Sequence, residues 1–135
     1  MKVNLIKILL IFILLTISVG FIACNSSTDP NYKDLDFPTE GEVSYRYDVE
    51  PFLRVRCAYA GCHSTTHKAG GMDLTNWFSL MSTPGFINTD KVESSLFLQV
   101  VNGDNPHLIN LMLIKVRQNQ IDGVKRWLEQ GALNN

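Results

Sequence analysis

The chain lacks an excess of either charge. Twelve Lys and Arg stand against thirteen Asp and Glu in 135 residues, for a formal net charge of −1. With no basic patch, it has no electrostatic footprint for nucleic acid. It lacks strand patterning too. No segment alternates apolar and polar residues with period two between turn signals, so the expected class is all-α. It carries no recognisable acid/base pair and no nucleophile constellation, so no hydrolytic or group-transfer machinery is legible. Its longest apolar run is short: the uncharged stretch 8–24 is 17 residues, at the lower limit for a membrane span. Cysteine is scarce, with three residues, Cys24, Cys57 and Cys62.

The apolar run has the order of a secretory leader. Lys2 and Lys7 form a basic start, residues 8–19 are almost wholly apolar, and Ala23 marks a small-residue cleavage site. The segment Phe21-Ile22-Ala23-Cys24 resembles the bacterial lipobox, which predicts cleavage after residue 23 and a lipid on Cys24. The expected address is the cell envelope, with the chain held to a membrane by lipid and facing the periplasm or exterior. Losing Lys2 and Lys7 with the leader moves the net charge from −1 to −3. Residues 25–42 are rich in Asn, Ser, Thr, Asp, Pro and Gly, and residues 24–43 are read as a flexible tether. The folded domain is then expected over 44–135. That is about 92 residues, marginal for a core without further support.

The stretch that organises this domain is Cys57-Ala58-Tyr59-Ala60-Gly61-Cys62-His63. Two cysteines followed directly by a histidine are the arrangement that holds c-type haem. Each thiol bonds to a vinyl group, and the adjacent imidazole ligates iron. The spacing here is C-x-x-x-x-C-H, two residues longer than usual, but the Cys-His adjacency is kept. Cys57, Cys62 and His63 are therefore the candidate sites for one covalent haem c, with His63 the proximal iron ligand. A disulfide between Cys57 and Cys62 is the plain alternative in an oxidising compartment, and it leaves His63 without a role.

The rest of the domain reads as short helices. Ser44 is a candidate N-cap, with Tyr45, Val49, Phe52, Leu53 and Arg56 at helical spacing. Pro51 belongs in a first turn, which places the regular helix at about Glu50. Trp77, Phe78, Leu80 and Met81 suggest a second helix, ended by Pro84-Gly85. Residues 93–101 read as a buried helix stopped by Asn102-Gly103. Residues 119–130 form the last, with Ile121, Val124, Lys125 and Leu128 on its inner face and Gly131 as its stop. Gly70-Gly71 lets backbone pass close to a planar ligand. Tyr47 and Trp127 are expected between the terminal helices, and Met72 and Met81 in the core.

These segments resemble small c-type cytochrome domains of class I, in the branch common in planctomycete and Bacteroidetes proteins. Four ordered blocks carry the resemblance. They are Tyr47-Asp48-Val49-Glu50-Pro51-Phe52-Leu53, Gly70-Gly71-Met72-Asp73-Leu74, Ser94-Ser95-Leu96, and the run from Ile121 to Ala132. The resemblance implies a small helical bundle wrapped around one haem, with terminal helices crossing. It also implies an electron carrier that works with redox partner proteins of the envelope rather than an enzyme. The family places a methionine as sixth ligand ahead of the last helix, which points to Met112, with His107 as the alternative. The family's proline after that methionine is missing here. Two other functions stay open: a haem enzyme or sensor with an open sixth position, and a haem-free disulfide lipoprotein that binds other molecules.

Overall fold

The computed structural model describes residues 35–58, 61–107 and 116–135. Cys24, Tyr59 and Met112 lie outside the described residues, as does the leader. The described residues are helical, with no strand among them. Among the described residues four α-helices follow in order: α1 (Glu50–Arg56), α2 (Trp77–Ser82), α3 (Leu96–Asn102) and α4 (Gln118–Glu129). None is long and apolar enough to cross a membrane.

Local chemistry explains the boundaries. Ser44 Oγ accepts the Tyr47 amide, capping a π-helical turn, Tyr45–Val49, that leads into α1. Pro51 sits in the first turn of α1, where a missing N–H is harmless. Asn76 caps α2 through Ser79 N. α3 has no side-chain cap. Its first amides donate instead to the Gly85 and Phe86 carbonyls, at 3.2 and 3.0 Å. Gly103, at φ +89°, closes it in the left-handed conformation that glycine adopts without strain. At the start of α4, Gln120 Oε1 accepts the Arg117 amide at 3.1 Å, the reach-back half of a capping box.

The core gathers Phe52 and Leu53 of α1, Leu80 of α2, Phe97, Leu98 and Val101 of α3, and Val124, Trp127 and Leu128 of α4. Its aromatic spine runs Phe37–Phe52–Phe97–Phe86, with ring centroids 5.8, 6.4 and 5.3 Å apart. Burying each such ring stabilises by about 1.5–3 kcal/mol. α3 packs on α4.

Two details differ from the sequence reading. Tyr47 is exposed; Tyr45 instead meets Trp127, with ring centroids 5.9 Å apart. The π-helical turn rotates the face that a regular helix would present, so the inward tyrosine changes. The ordered chain also begins before residue 44. Phe37 and Val43 are buried, and the segment is strapped along α4 by side chains of that helix. Gln120 Nε2 donates to the Leu35 carbonyl, Asn119 Nδ2 to that of Phe37, and Arg126 Nη1 to that of Pro38. The polar composition that reads as a tether therefore includes a packed strap over residues 35–43.

Candidate functional site

α1 delivers the site. Its last residue, Arg56, is followed at once by Cys57, whose amide donates to the Leu53 carbonyl at 2.8 Å, and the chain then leaves the helix. The loop folds back on itself: His63 N donates to the Cys57 carbonyl at 3.0 Å. Outgoing chain pins the far side. Leu74 N donates to the His63 carbonyl at 2.9 Å, and Ala69 N to that of Cys62 at 3.2 Å. Gly61 and Gly70 take positive φ of 89° and 62°, a backbone conformation glycine adopts without the strain a side chain would bring. Cys62 and His63 are thus each backed by a backbone hydrogen bond from the outgoing chain.

Cys57, Cys62 and His63 line one cavity of about 420 Å³, within the range of small-ligand pockets. Leu96, Phe97, Val100 and Val101 of α3 form one wall, with Phe86 beside them. Ala69, Gly70, Met72 and Leu74 form another. Arg56 is the one permanent cation among the described lining residues, and it is buried. His107 and Asn105 complete the rim.

The histidines behave differently from one another. His63 is 7% exposed, and its Nδ1 has no hydrogen-bond partner. A buried nitrogen left unbonded costs about 1–3 kcal/mol, so this imidazole is a candidate to bind a group held in the cavity. His107 lies beside it, with ring centroids 5.8 Å apart and planes 28° from parallel. Burial, and then the nearby His63, hold the His107 pKa below the ordinary imidazole value. His67 is taken up locally: its Nδ1 lies 3.3 Å from Gly61 N and 3.1 Å from Thr66 Oγ1, on the exposed side of the loop.

Both cysteines are free thiols. Burial, with Cys62 adding to it and Arg56 opposing, pushes the Cys57 thiol up to about 12. Among the described residues, no three His, Cys, Asp or Glu side chains converge as a bare metal ion requires. The donors are spread instead around the edge of an apolar space.

The sequence names the motif residues but not their surroundings. It gives no role to Arg56 beyond a place on the first helix, and none to Phe86. Arg56 could have been found from its position directly before Cys57, since the helix that delivers the thiol delivers its neighbour too. Phe86 had no local signal, because its place depends on the loop that caps α3. Comparison with known protein families, with curated proteins and with solved structures finds no match to this chain.

Proposed function

We propose that this protein is a membrane-tethered c-type cytochrome that carries single electrons through one covalent haem. The observation that carries the reading is the convergence of Cys57, Cys62 and His63 on a single apolar cavity. The residues fit the group on three counts. Two free thiols flank one wall, a buried imidazole stands beside them with an unsatisfied nitrogen, and the remaining walls are aliphatic and aromatic.

Cys57 and Cys62 would hold the group covalently, and His63 would ligate its iron. Arg56 suits a carboxylate substituent, because a buried guanidinium pairs well with an anion of matching planar shape. When bound, haem supplies reversible one-electron cycling of iron. The chain's own part is to exclude water and to hold the ligands fixed. Leu74, Phe86, Phe97 and Val101 are buried and keep the dielectric low around the site. Second-ligand candidates are Met112, outside the described residues, and His107, within them. Lipid on Cys24 would tether the domain to a membrane of the cell envelope, where redox partner proteins meet it.

The test is the intact mass of protein produced in a host able to attach c-type haem. One haem per chain, surviving denaturing electrophoresis as a haem stain, is expected. A haem-free chain with Cys57 and Cys62 joined in a disulfide would overturn the reading in favour of a binding lipoprotein. An attached haem that turns over peroxide would favour the enzyme alternative.

A further inference from the structure

We infer that His107 supplies the second axial nitrogen to the iron, making the protein a bis-histidine, low-potential carrier rather than a histidine–methionine one. The inference rests on the cytochrome reading above and specifies its ligand set.

The geometry comes from the end of α3. Gly103 ends that helix, with its amide on the Val100 carbonyl at 3.2 Å, and Asn105 N returns to the Gln99 carbonyl at 3.1 Å. The chain is thus pinned to the last turn of α3 just before it reaches His107. Asn105 and His107 both line the cavity that His63 lines. The two imidazoles end with ring centroids 5.8 Å apart and planes 28° from parallel. Two imidazoles sharing one metal, each through a nitrogen at about 2 Å, have centroids roughly 6 Å apart. The observed separation is close to that value, and no other described histidine or methionine is paired with His63 in this way. Met72 lines the same cavity, but on the loop that leaves the cysteine motif.

A second consequence concerns the missing proline. A thioether is a weak iron ligand and relies on a rigid loop to stay bound. An imidazole binds strongly, and its loop here is anchored to α3 by the Asn105 hydrogen bond. The sequence thus lacks, after Met112, the device a methionine needs, while the structure places His107, five residues earlier, beside His63.

The experiment uses the mature, haem-loaded protein, with loading checked first by intact mass. The expected wild-type spectrum is six-coordinate and low-spin in both oxidation states. It lacks the red-end band of sulfur-ligated ferric haem, and the reduced form binds carbon monoxide slowly. His107→Ala should turn high-spin, bind carbon monoxide readily, and return to the low-spin spectrum on adding free imidazole. His107→Met should gain the sulfur band and a higher potential. Met112→Ala should leave spectrum and potential unchanged. A sulfur band in the wild type, lost in Met112→Ala, would overturn the inference while leaving the cytochrome reading intact. A mass without haem would overturn the cytochrome reading itself. The wild-type spectrum requires no variant, so poor folding of His107→Ala does not leave the question open.

Discussion

Tyr45 shows how one atom can work against the fold. Its ring is buried against Trp127, but its hydroxyl is buried with no hydrogen-bond partner. Burial, then the Glu50 carboxylate, push the phenol from 10.0 up to about 12, with Arg54 opposing. A group whose pKa is raised in the folded state contributes stability that is present below its unfolded value. That contribution is lost as pH climbs through the folded value. The window for Tyr45 is therefore pH 10 to about 12. Tyr45→Phe keeps the ring and removes the orphan hydroxyl. It should stabilise the chain by about 1 kcal/mol in urea unfolding at neutral pH, and it should move alkaline unfolding to higher pH. Destabilisation of Tyr45→Phe at neutral pH would show that the hydroxyl has a partner after all. Cys57 acts in the same direction while its thiol is free, with its window running from 9.0 to about 12. Its thiol should be alkylated more slowly by iodoacetamide at pH 8 than that of an unstructured peptide, because only the thiolate reacts.

The most informative element is α4, and within it Gly123. Glycine inside a helix costs about 1 kcal/mol relative to alanine, so its presence calls for a reason. A Cβ there would collide with the Phe37 side chain, so the strap lies directly on bare helix backbone. Gly123→Ala should therefore destabilise by roughly 1–3 kcal/mol despite its better helix propensity, since the strap must lift or shift. Phe37→Ala should cost about 3–5 kcal/mol through the cavity it leaves. The double variant should be less destabilised than the sum, because the new methyl fills part of that cavity. Strict additivity in chemical denaturation would mean that the strap does not rest on Gly123 in solution. Gln120 belongs to the same arrangement: it is fully buried because its amide serves the strap carbonyl of Leu35.

For the whole molecule, the prediction is that fold and haem depend on each other. The helices are short, and one wall of the core is a cavity of about 420 Å³ rather than packed side chains. A domain this small buries too little surface to be indifferent to such a space. Cys57→Ala with Cys62→Ala should abolish the haem stain and leave a chain with helical far-ultraviolet signal but little fixed tertiary packing. A colourless double variant with a sharp unfolding transition and wild-type stability would refute this. At the other end of the chain, Cys24→Ser should release the protein from membranes or leave an uncleaved precursor. A mature protein that starts well beyond Cys24 without an acyl mass would rule out the lipid anchor.

What could be read from the sequence was local. The helical class, the start of α1 at Glu50 beside Pro51, the stop of α3 at Gly103 and the extent of α4 follow from caps, proline and glycine within a few residues of each boundary. Cys57, Cys62 and His63 stood out by adjacency in the sequence, and the structure brings all three to one cavity. The rest was decided by contacts between distant segments. The strap over residues 35–43 is polar by composition and is packed only because α4 offers a glycine and three amide or guanidinium donors 82 to 88 residues away. The exchange of Tyr47 for Tyr45 came from a π-helical turn, whose extra residue shifts the helix face. His107 gained its place beside His63 from the turn that closes α3, 44 residues beyond the motif. Spacing along a chain can show that an imidazole is available. Only the packing of one loop against another helix decides which imidazole comes to lie beside it.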